Sequence, residues 1–120
     1  MTMLANVLVV LVALLHLYFL VLEMFLWTGR QGRRLHGFKP EMAQATAPLA
    51  ANQGLYNGFL AAGLLWGLYL GSAGFQIVIF FLICVLVAGI YGAWSVSKRI
   101  FYVQALPAAL ALALVLLSSR

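Results

Sequence analysis

The chain has 120 residues, of which 66% are hydrophobic and only 8% are charged, whereas soluble domains usually carry roughly 25% charged residues. With a mean hydropathy of +1.09, it has too few polar side chains to cover the surface of a water-soluble domain. The composition therefore excludes a soluble globular protein and predicts one integral membrane domain. At about 20 apolar residues per crossing, this length is enough for four membrane-spanning helices.

Four apolar segments, separated by glycine, proline and charged residues, are each about long enough to cross the hydrocarbon core. They predict an all-α, up-and-down bundle of four transmembrane helices that forms a single domain over residues 1–120, with helices at about 3–27, 51–70, 75–97 and 100–118. The first segment has neither a basic start nor a small-residue cleavage site, so we expect it to be retained rather than removed as a signal peptide.

The basic residues are divided unequally between the connections. Six of the seven lysines and arginines lie in the loop at 28–48 or in the third connection, and only Arg120 lies on the opposite side of a four-helix chain. Because positively charged loops remain in the cytoplasm, we expect loop 28–48 on the cytoplasmic side and both termini on the non-cytoplasmic side. The partner implied by this arrangement is the lipid bilayer, and no nucleic-acid partner is expected.

Glu23 is the most informative residue of the sequence, because an ionisable side chain in a membrane helix is costly unless it has a partner, a proton or water. His16 precedes it by seven residues, which places both on one helical face and about 10 Å apart along the axis. We predict that these two residues are the catalytic ones, and Trp27 extends the same face toward the cytoplasm.

Polar side chains are concentrated in the cytoplasmic halves of the other three helices. Gln53, Tyr56 and Asn57 share one face of the second helix. Because the polar groups of different helices fall at a similar depth, we predict a pocket that faces the cytoplasm, with ligand-binding residues Asn52, Gln53, Tyr56, Asn57, Tyr91, Trp94, Gln104 and Trp27. The alternative is a hydrogen-bond network that only fixes the register of the helices.

No metal or cofactor is expected at this site. Cys84 is the only cysteine, so an intrachain disulfide and a cysteine-based metal site are excluded. His36 lies in the loop, at the wrong depth to join His16 as a second haem ligand. Glu23, His16 and the amides are too sparse and too different in depth to hold a metal ion.

Glycines recur every four residues on the second helix and indicate close helix contacts. Gly63, Gly67 and Gly71 lie on one face, whereas Gly54 and Gly58 lie on another. The helix is therefore expected to touch neighbours on two sides. The first face predicts either packing within the bundle or a homodimer contact.

The sequence contains four strings that can be compared with known families, namely HLYFLVLEMFLW at 16–27, LAANQGLYNGFLAAGLLWG at 49–67, AGIYGA at 88–93 and VQALPA at 103–108. Together they resemble a family of small bacterial four-helix membrane proteins catalogued only as a domain of unknown function. The resemblance covers essentially the whole chain and implies a multi-pass protein of the bacterial inner membrane. It also implies that the polar residues within the strings are important, but it implies no activity.

Three functions are compatible with this sequence. In the first, the protein binds a small lipophilic molecule that Gln53 and Asn57 orient. Glu23 then acts on this molecule as an acid or a base. The second is a dimeric proton-coupled exporter that uses Glu23, and the third is a structural or accessory membrane subunit. We favour the first, because a transporter must expose its carboxylate to both sides of the membrane, whereas this chain concentrates its polar groups on one side. No particular reaction is indicated.

Overall fold

The computed structural model describes residues 1–118, and all regular elements in this range are helical. The five α-helices are α1 (Met3–Phe25), α2 (Arg30–His36), α3 (Pro40–Tyr69), α4 (Phe75–Ser95) and α5 (Leu106–Ser118). A 3₁₀ turn at Gly71–Gly74 precedes α4, and a π-helical turn at Phe101–Ala105 leads directly into α5. The predicted all-α class is therefore confirmed for the described part of the chain.

Within residues 1–118, three helical segments are long and apolar enough to cross a membrane, namely Met3–Phe25, Gly71–Ser95 and Phe101–Ser118. Only 22% to 33% of the most apolar stretch of each segment is buried within the protein. Most of their apolar surface therefore needs a nonpolar solvent such as lipid. Helix α3 does not belong to this set, because the polar side chains in its middle turns, Asn52, Gln53 and Asn57, lower its hydropathy.

The segment at 28–48, expected to be a loop, is mostly helical. Helix α2 lies between Gly29, which has an extended backbone, and Gly37, whose φ of 72° is the left-handed conformation that ends many helices. Helix α3 begins at Pro40, because proline is favoured in the first helical turn, where its missing N–H is not needed. The predicted start of this helix at residue 51 is thus about three turns too late.

Helix α3 continues through Pro48, although a proline predicts a helix boundary at this position. An internal proline removes one backbone hydrogen bond and usually costs about 3 kcal/mol or more. One alanine on each side of Pro48 is buried, since Ala43 is 0% exposed and Ala50 is 7% exposed. Their spacing of seven residues places them on one helical face. Packing of this face therefore stabilises the helix on both sides of the proline.

The chain divides into two compact units. The first, which we call the α1–α3 unit, comprises Leu15–Phe59 and contains the second half of α1, α2 and most of α3. The second, the α4–α5 unit, comprises Met1–Leu14 and the chain from Leu60 onward. All of α4, the π-helical turn and α5 lie in the second unit.

The core of the α4–α5 unit includes a contact between α4 and the segment that enters α5. Val78, Leu82 and Val85 are fully buried, as is Ala105 at the end of the π-helical turn. A Cβ atom added to Gly89 would lie only 2.8 Å from the backbone nitrogen of Ala105. The two backbones therefore meet at glycine, as is common between membrane helices.

The glycine face at 63, 67 and 71 is used within the chain. A Cβ atom at Gly63 would collide with the ring of Phe81, and one at Gly67 would lie 2.6 Å from Cγ2 of Val78. Gly71 has a φ of 63° and follows the last turn of α3, where glycine permits the left-handed conformation. Two of these glycines thus serve packing against α4, and the third serves the turn.

Candidate functional site

Glu23 lies in the last turns of α1 and is 8% exposed. Its carboxylate accepts two hydrogen bonds from α3: Gln53 Nε2 donates to Oε2 and Asn57 Nδ2 donates to Oε1, both at 2.6 Å. Gln53 and Asn57 are four residues apart and therefore project from the same face of α3. We call these three residues the carboxylate–amide cluster. It joins three of the predicted site residues in one hydrogen-bonded group.

The cluster depends on a close approach of α1 to α3. A Cβ atom at Gly54 would lie 2.8 Å from Met24 Cγ, 3.1 Å from Glu23 Cβ and 3.2 Å from the carbonyl oxygen of Leu20. At Gly58 the corresponding atom would lie 2.6 Å from Leu20 Cδ1. The glycine face at 54 and 58 therefore contacts α1, and it lets Glu23 reach the amides on either side of Gly54.

His16 is fully buried on α1, two helical turns before Glu23. Its ring makes an edge contact with Phe19, with 5.3 Å between the ring centroids. Seven helical residues correspond to about 10 Å along the axis, so His16 and Glu23 are too far apart for a direct hydrogen bond. A bound molecule that touches both side chains would have to span this distance.

The cluster is accessible on the side of Gln53. Asn57 is 9% exposed, whereas Gln53 is exposed even though its amide binds Glu23. Asn52 is also exposed, and Tyr56 is 56% exposed. These side chains place polar groups on the outer surface of α3, and Gln53 connects this surface to the buried carboxylate.

Trp27 anchors the segment that follows α1. Its indole Nε1 donates to Thr46 Oγ1 at 2.9 Å, and its carbonyl oxygen lies 2.8 Å from His36 Nε2. Because the backbone N–H of Phe38 donates to His36 Nδ1 at 2.9 Å, the proton of a neutral imidazole lies on Nε2, which donates to Trp27. The rings of Trp27 and His36 are also in contact, with their centroids 4.4 Å apart and their planes tilted by 44°. This group links α2 to the first turns of α3.

Three further predicted site residues lie in the α4–α5 unit. Gln104 Nε2 donates to the carbonyl oxygen of Val85 at 3.1 Å, so this amide fastens the π-helical turn to α4. Tyr91 and Trp94 are 63% and 83% exposed, and their ring centroids are 6.0 Å apart. The structure thus gives Gln104 a packing contact and places both aromatic rings on the surface.

The chain matches over residues 10–116 the model of a family described as "Protein of unknown function (DUF1304)". It belongs to this family. The family resemblance expected from the four sequence strings is confirmed, and the matched range contains the whole carboxylate–amide cluster. A relative of similar length, the "Uncharacterized protein YpaA" of Lactococcus lactis subsp. lactis (strain IL1403), is 34% identical over 114 residues, which cover 93% of this chain and 96% of the relative. No solved structure matches the chain significantly.

The chemistry available at the cluster is that of one carboxyl group and two amides. Each amide uses one N–H to bind Glu23, and a side-chain amide has a second N–H and a carbonyl oxygen. Gln53 can therefore hold a hydroxyl or carbonyl group of a ligand close to the carboxylate, which can accept or give a proton. Among residues 1–118, no three His, Cys, Asp or Glu side chains form a group that could hold a metal ion.

His36 and Thr46 also shape the surroundings of the site, although the sequence does not predict this role. Neither residue is part of a periodic pattern, and their contacts with Trp27 span nine and nineteen residues. One local signal was available, since Gly29 and Gly37 bracket the basic segment and glycine is typical just beyond a helix end. That signal predicts the short helix α2 but not its contact with Trp27.

Proposed function

We propose that this protein binds a small lipophilic molecule at the carboxylate–amide cluster and that Glu23 exchanges a proton with the bound molecule. The observation that carries the proposal is the pair of 2.6 Å hydrogen bonds that hold a buried carboxylate between two helices. Fixing helix register alone requires only a neutral amide. A carboxyl group within an apolar helix is costly, and such residues commonly mark functional sites.

The surroundings of the cluster support a ligand with a largely apolar body and one hydroxyl or carbonyl group. Leu49 lies four residues before Gln53, on the same face of α3, and is 73% exposed, so apolar surface lies beside the polar groups. The amide of Gln53 offers one donor and one acceptor beyond its bond to Glu23. A ligand of this kind can enter from the lipid, in which it dissolves.

The proposal also includes a location and a topology. It places the chain in the bacterial inner membrane as a four-helix bundle with both termini on the non-cytoplasmic side. Helix α3 is then a further crossing in addition to the three apolar segments. Helix α3 has 30 residues and is therefore about 45 Å long, which exceeds the thickness of the hydrocarbon core. The arginines of α2 support a cytoplasmic position for the start of α3.

Reporter fusions test this topology. Alkaline phosphatase is active only outside the cytoplasm, whereas green fluorescent protein exported in unfolded form stays dark. Active phosphatase and dark fluorescent protein at both termini are expected for four crossings. Reporters that place the termini on opposite sides of the membrane would instead mean that only the three apolar segments cross.

Native mass spectrometry of the purified protein tests the ligand proposal. We expect a defined small lipophile to co-purify with the wild type and to be lost from Glu23→Gln. Glu41→Gln is the matched control, because Glu41 is the only other acidic residue of the chain and is exposed at the start of α3. This control variant should retain the lipophile.

Two results would contradict the ligand proposal. If all three proteins are empty, no tightly held ligand exists. If all three carry the same molecule equally, that molecule does not depend on Glu23. An exporter would be favoured if a pH gradient drives uptake of a cation into proteoliposomes and Glu23→Gln abolishes this uptake. Purification with a stoichiometric protein partner would favour an accessory subunit.

A further inference from the structure

A second candidate binding surface lies in the α4–α5 unit, where α4 ends and the π-helical turn begins. One groove of about 340 Å³ is lined by Ile90, Ala93, Trp94, Lys98, Phe101 and Tyr102. A second groove of about 370 Å³ is lined by Val87, Ile90, Tyr91 and Trp94. Because Ile90 and Trp94 line both grooves, the two grooves adjoin at these residues. We call the combined surface the Trp94 groove.

The shape of the Trp94 groove follows from the irregular backbone around it. Helix α4 ends at Ser95, and the chain turns before the π-helical segment, in which the N–H of Leu106 binds the carbonyl oxygen of Phe101. Pro107 has no N–H to give to the preceding turn, which favours such an irregularity. The π-helical turn thus supplies Phe101 and Tyr102 opposite Trp94, and π-helical turns are frequent at functional sites.

The lining of the groove is apolar except at one end. Trp94 is 83% exposed and Tyr102 is 67% exposed, so both rings are available to a ligand. Lys98 is the only charged lining residue, and Arg99 follows it in the chain. The sequence from residue 60 onward contains no Asp or Glu, so no acidic side chain of this stretch neutralises the two positive charges.

We propose that the Trp94 groove binds one anionic phospholipid. The two acyl chains lie along the two apolar grooves that adjoin at Ile90 and Trp94, and the phosphate group binds the Lys98 ammonium. The phenol of Tyr102 can donate a hydrogen bond to the same phosphate. Tryptophan, tyrosine and lysine are the residues that occupy the headgroup level of a membrane, and a basic residue there attracts anionic lipids.

The pairing of one charge with two apolar grooves selects this ligand over a soluble phosphate compound. A free phosphate would bind Lys98 but would leave the exposed faces of Trp94, Ile90 and Phe101 without a partner. A zwitterionic phospholipid would cover these faces but would bring its own positive charge close to Lys98 and Arg99. An anionic diacyl lipid satisfies both requirements.

Native mass spectrometry with a defined lipid mixture tests this proposal. The full-length protein is released from nanodiscs that contain equal amounts of phosphatidylglycerol and phosphatidylcholine, and the ratio of the two bound lipids is measured. We expect the wild type to prefer phosphatidylglycerol by about fivefold, the factor expected for one basic residue at an anionic membrane surface. Lys98→Gln should reduce the ratio to nearly one, and Lys98→Arg should preserve it.

Arg99→Gln is the matched control for charge, because Arg99 is the adjacent basic residue and does not line the groove. It should keep the wild-type ratio. Trp94→Ala should reduce the amount of both bound lipids, whereas Trp66→Ala, which removes another exposed tryptophan of the same unit, should not. A ratio near one in the wild type, or equal losses in Lys98→Gln and Arg99→Gln, would overturn the proposal.

Discussion

Asn57 and Glu23 are 34 residues apart in the sequence, yet their side chains form a 2.6 Å hydrogen bond at a position where both residues are less than a tenth exposed. Neither group can exchange this partner for bulk water without moving α1 away from α3. The bond therefore couples the fold of the α1–α3 unit to the chemistry of its carboxylate. Substitutions in the cluster should therefore change stability and the retention of the proposed ligand together.

Replacing Asn57 by Leu should destabilise the protein by about 1–3 kcal/mol, because a buried acceptor then lacks its donor. The double variant Asn57→Leu/Glu23→Leu should be more stable than Asn57→Leu alone, since it also removes the unsatisfied carboxyl group. Gln53→Leu is the control at an exposed donor and should cost less. Unfolding in detergent, followed by circular dichroism, measures these differences. Equal costs for Asn57→Leu and Gln53→Leu would contradict the assigned burial.

Replacing Gly54 by Val should separate α1 from α3 and weaken retention of the proposed ligand. The added atoms would approach Glu23 Cβ and the Leu20 carbonyl oxygen, neither of which can rotate away, and overpacking of this kind usually costs about 1–3 kcal/mol. Ala45→Val, at an exposed position of the same helix, is the control. Thermal unfolding and native mass spectrometry are the measurements. A Gly54→Val protein that matches Ala45→Val in both would show that the two helices do not need this contact.

The carboxylate–amide cluster could be predicted in part from the sequence, because two simple rules apply to it. A carboxyl group in an apolar helix needs polar partners, and a spacing of four places Gln53 and Asn57 on one face. The glycines at 54 and 58 also indicated a second contact face. These rules depend only on local sequence, and they led to three residues that the structure joins.

The roles of Tyr91 and Gln104 could not be derived in the same way. The position of a residue along its helix predicts its depth in the membrane, but its direction depends on how the helix is rotated about its axis. That rotation is fixed by packing, such as the close contact of Gly89 with Ala105. Gln104 consequently bonds to the Val85 carbonyl oxygen, and Tyr91 lies on the surface.

The helical content of 28–48 could not be predicted for a different reason. Proline predicts a helix boundary, whereas Pro48 lies inside α3, and no local rule reports the burial of Ala43 and Ala50 that supports the helix there. Helix α2 is too short to be stable alone. It depends on contacts with Trp27, which lies outside it.

The hydrogen bond between Trp27 and Thr46 should contribute about 0.5–1.5 kcal/mol to stability, the usual net value for a neutral pair. A double-mutant cycle with Trp27→Phe, Thr46→Val and the combined variant isolates this contribution, because each substitution removes one partner. Thr46→Val preserves the shape of the side chain. Equilibrium unfolding in detergent provides the four free energies. Strictly additive effects of the two substitutions would mean that the indole and the hydroxyl group do not interact.

Replacing Gly32 by Ala should detach α2 from the end of α1. Gly32 is buried, and an added Cβ atom would collide with the carbonyl oxygens of Leu26 and Trp27, which are backbone atoms and cannot turn aside. Arg30, Arg33 and Arg34 are exposed on this helix, so limited trypsin digestion followed by mass spectrometry reports its opening. Cleavage should become at least about fivefold faster, since a loss of about 1 kcal/mol of local stability raises the open population by that factor. Gln31→Ala, at the neighbouring exposed position, should be cleaved at the wild-type rate because no backbone atom has to move. If both variants are cleaved equally fast, the contact of α2 with the end of α1 does not protect this segment.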